Sequence, residues 1–445
     1  MESARQGNLT HWRTRLAARA SWFGGPGAKG LAEALAAVRQ RIKKYRGSGP
    51  VVVAEIKPAA YLAGVLAAVE KKLPVVLANP RWGRGERAQA AAQIKPGLWL
   101  GDNKARWPAV KLGKAFDGDV WAEAILIPTG GTGGRVRWAV HTWGTLVAAA
   151  RAQVKFFEAE GCVHVSTLPS WHVGGLMPAV RALETGGTLW LENWKSLEAG
   201  QPPKIPPGNV IISLVPTQLH RLLMRKAMVA WLSGTRAILL GGAAPTAELL
   251  RRSRKMRLPV ALAYGMTETA AVVAAQRPED FLAGEPPVAT PLPHAKIWAG
   301  DQAGKRLRSG EKGRLWIQAS SLFSGYYPAK RAKGPFGTED CGVVDKRGRV
   351  RPLGRMDRVI ITGGEKVHPA EVEREIRATG LVKDVRVIGL PDAEWGERVV
   401  AIFTGNKRVE KKLRAALAGR LASHAQPKEW LWVKKLPRGK EMGGG

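Results

Sequence analysis

From residue 51 to about residue 263, short apolar runs rich in β-branched residues alternate with longer Ala/Leu/Arg segments, and this alternation restricts the chain to a narrow set of folds. The runs Val51-Val-Val-Ala-Glu55, Leu73-Pro-Val-Val-Leu77, Ile125-Leu-Ile127 and Val163-His-Val165 read as strands. Val210-Ile-Ile-Ser-Leu-Val215, Ala237-Ile-Leu-Leu240 and Val260-Ala-Leu-Ala263 read the same way. Residues 28 to 46, Thr142 to Glu160 and Ala247 to Lys255 carry apolar positions at helical spacing. The pattern predicts layered α/β structure with largely parallel sheets and helical crossovers. After about residue 285 it changes to short strands and turns, as in Gly313-Arg-Leu-Trp-Ile-Gln318 and Asp345-Lys-Arg-Gly-Arg-Val350, which predicts a β-rich subdomain.

A chain of 445 residues is long enough for two or three domains, and 45% hydrophobic with 24% charged residues places it among folded rather than disordered proteins. No apolar run approaches the ~18 residues of a membrane helix. The first ten residues lack the apolar core of a secretory signal. A cytoplasmic protein without a transmembrane segment is therefore expected. Arg13, Arg15 and Arg19 read as a basic surface helix, since Glu2 argues against a transit peptide. Cys162 and Cys341 form no framework and suit a reducing compartment. The 70 Lys+Arg against 36 Asp+Glu give a net charge of +34, a field that attracts polyanions. The basic residues are spread along the chain, with no zinc-finger spacing, RRM signature or basic region followed by heptads, so no specific nucleic-acid partner is expected. No pattern sets an oligomeric state.

The stretch Ile125-Leu-Ile-Pro-Thr-Gly-Gly-Thr-Gly-Gly-Arg-Val-Arg-Trp138 runs from an apolar strand into a glycine and threonine loop closed by arginines. Glycines let backbone N–H groups turn onto a concave anion site, and hydroxyls and a cation add to it. Such a loop taken alone is as often a flexible turn. Further loops follow predicted strands. Leu168-Pro-Ser-Trp-His-Val-Gly-Gly-Leu-Met177 sets His172 beside Gly174 and Gly175, and Val215-Pro-Thr-Gln218 offers Thr217 and Gln218. Leu239-Leu-Gly-Gly-Ala-Ala-Pro245 offers Gly242 and Ala243, and Tyr264-Gly-Met-Thr-Glu-Thr269 ends a fourth strand. Ligands gather at the carboxyl ends of strands in α/β sheets, so these loops predict one shared site.

In this order the loops resemble those of the adenylate-forming enzymes, the family of acyl-CoA synthetases, luciferases and peptide-synthetase adenylation domains. The resemblance runs from about residue 120 to residue 438. The family's T-S-G-T-T-G-x-P-K is matched in place by Thr129-Gly130-Gly131-Thr132-Gly133-Gly134 through Arg137, with Gly130 and Gly133 replacing hydroxyl residues and Arg137 replacing lysine. Its Y-G-M-T-E is matched by Tyr264-Gly265-Met266-Thr267-Glu268. The resemblance implies an aromatic ring packed on adenine, Thr267 on the α-phosphate and Glu268 holding Mg²⁺. Thr338-Glu-Asp340 is similar to its T-G-D, which gives Asp340 to the ribose, and Glu339 replaces the glycine. The segment from Gly354 to Glu373 resembles the opening of the family's C-terminal domain, which implies Arg355 near the ribose or phosphates and a hinge at Asp357. Gly363 and Gly364 are implied in the coenzyme A channel. Val387-Ile-Gly-Leu-Pro-Asp-Ala-Glu-Trp-Gly-Glu397 completes the matched motifs.

The resemblance implies an N-terminal AMP-binding domain over residues 1–354, with its β-rich part at about 285–354, and a small mobile α+β domain over 355–445. It implies ATP, Mg²⁺ and coenzyme A as co-substrates and cofactor, and a small-molecule carboxylate as acid substrate. The family's adenylating lysine stands in P-R-x-x-x-G-K. Here Leu436-Pro-Arg-Gly-Lys440 shortens that ending, making Lys440 the matching cation or a solvated tail charge. His172 is implied at the acyl pocket with Gly174, Gly175, Thr217 and Gln218, and Ser213 is a further liner. Trp143 and Trp171 read as core, and His141 as a helix-start or pocket residue. Arg181, Arg221 and Lys195 read as solvated cations. Within the family, the Pro-Thr-Gly-Gly loop followed by Arg-Trp-Ala-Val-His-Thr-Trp143 looks most like the o-succinylbenzoate-CoA ligases of naphthoquinone and phylloquinone synthesis. The alternatives are a medium-chain or aryl acyl-CoA synthetase, or a catalytically weak relative acting as a basic nucleotide- or polyanion-binding protein.

Overall fold

The computed structural model describes residues 9–17, 22–109, 117, 121–130, 136–245, 247–331, 333–355, 360–367, 369–434 and 436. Each apolar run of the sequence forms a strand, and the strands assemble into the expected layered α/β architecture. An eight-stranded sheet has Phe23–Gly24 at one edge, followed by Thr188–Leu191, Val163–Ser166, Val210–Leu214, Ala237–Leu240 and Val260–Met266 in parallel. Ala271–Ala275 and Thr290–Pro291 complete it in antiparallel register. A five-stranded sheet orders Leu98–Gly101, Val51–Ala54, Val75–Leu77 and Ile125–Gly130 in parallel and ends with Val136–His141.

One continuous core joins the two sheets. Val51, Val53, Leu77 and Ile127 of the smaller sheet pack with Leu189 and Leu191 of the larger through Leu62, Leu146, Leu176 and Leu183 on intervening helices. This double cover explains why the strands carry unbroken apolar runs, since neither face meets water. The helix Trp143–Phe157 starts where Thr142 and Thr145 form a reciprocal capping box and ends at Glu158 in the left-handed region. The helix Val173–Thr185 starts at His172 and stops at Gly186, whose φ of 79° closes the helix at no steric cost.

Ala295–Gly300, Gly313–Ala319, Phe336–Val344 and Val350–Arg355 form a four-stranded antiparallel sheet, where the sequence changes to short strands and turns. Beyond it, Val382–Asp392 and Gly396–Gly405 pair along their length, with Ile360–Thr362, Glu365–Val367 and Glu429–Trp432 alongside. Val372, Ile376, Val399, Phe403, Leu413 and Trp430 make a separate core beneath this sheet. Among the described residues, no helix is long and apolar enough to cross a membrane.

Candidate active site

Four neighbouring parallel strands, Val163–Ser166, Val210–Leu214, Ala237–Leu240 and Val260–Met266, end on the same side of the large sheet, and their following loops meet there. They line a cavity of about 670 Å³ that contains His172, Gly174, Ser213, Thr217, Gln218, Gly242, Gly265, Met266 and Thr267. Gly175, in the first turn of the helix Val173–Thr185, and Ala243, in the loop after Ala237–Leu240, do not line the cavity. Gly363, Gly364 and Trp395, in turns between strands of the C-terminal sheet, and Glu365 and Lys366, on the strand Glu365–Val367, complete the lining.

The Tyr264–Thr269 segment is held from several sides. A bulge at Tyr264 and Gly265 brings the Gly265 backbone onto the Ala271 carbonyl, leaving no room for a side chain. His141 ends the strand Val136–His141 fully buried, with Nε2 2.7 Å from the Thr267 carbonyl and Nδ1 3.0 Å from the Thr145 hydroxyl. Burial lowers its pKa to about 4 against the opposing pull of Thr267 and Glu268, so the ring is neutral and Nε2–H donates to that carbonyl. Glu268 is 4% exposed. Its Oε1 accepts from the Tyr326 hydroxyl at 2.6 Å, while Oε2 has no hydrogen-bond partner among the described residues. Burial first, and the adjacent Glu268 second, keep that phenol protonated far above its usual range. The Arg137 guanidinium lies 4.2 Å from the Tyr326 ring centroid, adding a cation beside the carboxylate.

A buried carboxylate with one orphaned oxygen fits a divalent cation that takes its remaining oxygens from phosphates and water, as Mg²⁺ does. Among the described residues no group of three or more His, Cys, Asp or Glu side chains is placed to hold a metal unaided. Tyr264 donates to Asp340 Oδ2 at 2.9 Å, which sets a ring and a carboxylate side by side. Asp340 and Arg355 are register partners across adjacent antiparallel strands. Thr129 and Gly130 end the strand Ile125–Gly130. Gly131, Thr132, Gly133, Gly134, Asp357 and Lys440 lie outside the described residues.

Two expectations about cations need correction. Arg181 is 2% exposed and lines the cavity floor with Gln153, so it is no solvated cation. Its Nη1 donates to Gln153 Oε1 at 3.1 Å and its Nε to His164 Nδ1 at 3.4 Å, both neutral acceptors. No carboxylate pairs with it among the described residues, and burial lowers its pKa from the ordinary guanidinium value to about 9. His164, equally buried, stays neutral because burial and Arg181 both press its pKa down. Arg221 is half-buried and paired with Glu198 and Glu394. Lys195 is exposed, and Trp143 and Trp171 are core residues, as expected. The sequence did carry a signal for Arg181. It is the one basic residue in Val173–Thr185, and it follows Gly174 and Met177 at helical spacing on the cavity face. Tyr326 and Glu365 had no such signal.

His172 Nε2 stands 3.1 Å from Glu365 Oε1 across the cavity. Burial pulls the imidazole pKa down, but the Glu365 charge outweighs it and the net shift is upward. Glu365 itself is held down at about 2, where burial opposes and His172 and His424 prevail. About a third of each side chain is exposed, so solvent screens this pair.

Residues 102–327 match the family model described as AMP-binding enzyme, and residues 371–441 match the AMP-binding enzyme C-terminal domain. A 2-succinylbenzoate–CoA ligase of Bacillus licheniformis is 30% identical over 71% of this chain and 67% of its own length. An indoleacetate–CoA ligase of Aromatoleum aromaticum is 29% identical over 71% of this chain and 64% of its own. Among solved structures, a double mutant of o-succinylbenzoate CoA synthetase from Bacillus subtilis with a product analogue superposes at a TM-score of 0.77, with 23% identity, covering 97% of this chain and 96% of that one. The Bacillus subtilis enzyme with ATP and magnesium superposes at 0.61, with 23% identity, over 92% and 91%.

Proposed function

The chain belongs to the AMP-binding enzyme family, and from that premise we propose that it is an AMP-forming acid–thiol ligase whose acid is 2-succinylbenzoate. In the first half-reaction a carboxylate oxygen of the acid attacks the α-phosphorus of ATP, the bond to the β-phosphate oxygen breaks, and pyrophosphate leaves. In the second, the coenzyme A sulfur attacks the acyl carbon, loses its proton, and displaces AMP. The obstacle in the first is repulsion between an anion and a polyanion, so positive charge must be in place beforehand.

Glu268 is the residue that would hold Mg²⁺, through the oxygen that has no partner among the described residues. A bound Mg²⁺ supplies charge neutralisation for the phosphates. The chain's own residues do the rest. His141 fixes the Thr267 carbonyl and with it the loop that meets the α-phosphate, and Tyr326 keeps Glu268 from turning away. Tyr264 and Asp340 take the adenosine, the ring on the base and the carboxylate on the ribose, with Arg355 beside them. The loop from Thr129 to Gly134 and Arg137 close over the phosphates. His172, Gly174, Thr217 and Gln218 shape the acyl pocket, and Gly363 and Gly364 border the path of the thiol. The small domain beginning near residue 355 turns about Asp357 between half-reactions, with Lys440 as the cation of the first.

Arg181 carries the substrate assignment. A buried guanidinium lining the cavity, whose acceptors among the described residues are both neutral, suits an acid that brings a second carboxylate. A mono-acid, as in the aryl acyl-CoA reading that the indoleacetate relative favours, leaves that charge unanswered. Pyrophosphate release from ATP and Mg²⁺, measured with 2-succinylbenzoate, benzoate, indoleacetate and octanoate, tests the assignment. Turnover with 2-succinylbenzoate far above the others is the expected outcome, and a preference for any mono-acid would overturn it.

A further inference from the structure

Arg221 sits on the helix Pro216–Leu222, which begins one residue after Val215 and carries Thr217 and Gln218 on the cavity wall. Its Nη1 donates to Glu198 Oε1 at 2.8 Å, so the guanidinium is oriented from its own domain. Its Nε donates to Glu394 Oε1 at 2.9 Å, Nη2 reaches the same oxygen, and its face covers the Trp395 ring at 5.1 Å. Glu394 and Trp395 lie in the turn that joins the strands Val382–Asp392 and Gly396–Gly405 and are set there by Asp392, whose Oδ1 accepts from both backbone N–H groups at 2.9 Å. Lys428 lies against the same indole at 4.6 Å.

Trp395 in turn positions the glycine loop. The Gly363 N–H donates to the Trp395 carbonyl at 2.8 Å, and a Cβ on Gly363 would lie 3.1 Å from the indole. A Cβ on Gly364 would lie 2.8 Å from Val215 Cγ1. The contacts therefore close a ring, from Val215 through Arg221, Trp395 and the two glycines back to Val215.

We propose that Arg221 is a positioning residue for thioester formation, clamping Glu394 and Trp395 so that the Gly363-Gly364 loop is held against the acyl cavity. The inference rests on the ligase reading above. Arg221 makes its contacts to the C-terminal domain in the arrangement where this loop faces the cavity, so it biases one domain arrangement and leaves the adenylating one alone. Each carboxylate partner is more than a third exposed, which screens a lone ion pair. A planar guanidinium that pairs and stacks at once is a stronger and more directional grip than a lysine at the same place.

The test separates the half-reactions in the full chain, for the parent and for Arg221→Gln, Glu394→Gln, the double variant and Arg221→Lys. Thioester formation from supplied acyl-adenylate and coenzyme A is expected to slow about tenfold in each single Gln variant. Pyrophosphate release without coenzyme A should stay within about twofold. The double variant should be no slower than either single one, because both remove the same contact. Arg221→Lys should fall between Gln and parent. Glu394 is partly exposed, so its Gln variant keeps the comparison valid if Arg221→Gln folds poorly. Thioester rates equal to the parent's, equal slowing of both half-reactions, or additive losses in the double variant would each overturn the clamp. A parent protein silent in both half-reactions would instead overturn the ligase reading itself.

Discussion

Replacing Arg181 with methionine should make the empty protein more stable while removing its use of a diacid. The guanidinium is buried, its acceptors among the described residues are neutral, and burial alone lowers its pKa from the ordinary guanidinium value to about 9. At about 1.4 kcal/mol per tenfold change in proton affinity, keeping it charged in the fold carries a penalty of roughly 5 kcal/mol. A base whose folded pKa lies below its unfolded one is destabilised by its charge at every pH below about 9, and the penalty fades as pH rises from there toward the ordinary guanidinium value.

Methionine fills similar length without the charge, but it strands Gln153 Oε1 and His164 Nδ1, which now accept from Arg181. At about 1 to 2 kcal/mol each, those losses offset part of the gain and leave a net stabilisation of roughly 1 to 3 kcal/mol. For a diacid the balance reverses. A carboxylate buried without its cation loses about 3 to 5 kcal/mol, a fall in kcat/KM of between about a hundredfold and a few thousandfold. A mono-acid of similar shape should be nearly indifferent. Thermal unfolding of the ligand-free protein at neutral pH and pyrophosphate release with paired diacid and mono-acid substrates read both effects. A lower Tm together with equal losses for both acids would refute the reasoning, because it would make Arg181 a structural residue.

Glu268→Gln should abolish pyrophosphate release together with its dependence on Mg²⁺ concentration, and turnover with parental Mg²⁺ dependence would remove Glu268 from that role. Gly364→Ala adds a Cβ 2.8 Å from Val215 at a φ of 81°. The backbone strain of about 1 to 2 kcal/mol is present in any domain arrangement, while the clash exists only with the loop at the cavity. Thioester formation should therefore fall about tenfold or more with pyrophosphate release spared, and equal losses in a two-part rate assay would contradict that. The His172 pKa is raised above 6.5 and that of Glu365 lowered to about 2, so their ion pair is intact at pH 6.5, is lost as pH rises through the His172 value, and at the acid end is lost as pH falls through about 2. The ratio of parent to Glu365→Gln rates in thioester formation should fall across that range by about two- to threefold, the modest size reflecting solvent screening, and a flat ratio would show that the pair does not contribute.

The sequence made the sheets and the strand-end loops legible because both rest on local rules. Buried parallel strands need unbroken apolar runs, and loops that approach a ligand need small or polar residues. Val163–Ser166, Val210–Leu214, Ala237–Leu240 and Val260–Met266 were readable on the first ground, and the meeting of their loops in one cavity on the second. What escaped depended on distant partners. Tyr326 is 58 residues from Glu268, and no spacing along the chain announces their hydrogen bond. Arg221 looked solvated because Glu394, its partner across the domains, is 173 residues away. Arg181 looked solvated because arginine usually is, although its place in an apolar helix argued otherwise.

Which acid the cavity accepts decides whether Arg181 meets a second carboxylate. Equimolar 2-succinylbenzoate, indoleacetate, benzoate and octanoate, offered together with ATP, Mg²⁺ and coenzyme A, compete for one site, and mass spectrometry of the coenzyme A thioesters reports the winner. The account predicts 2-succinylbenzoyl-CoA as the dominant product, formed with an equivalent of AMP. A dominant mono-acid thioester would contradict the reading of Arg181, and AMP formation without any thioester would contradict the ligase assignment.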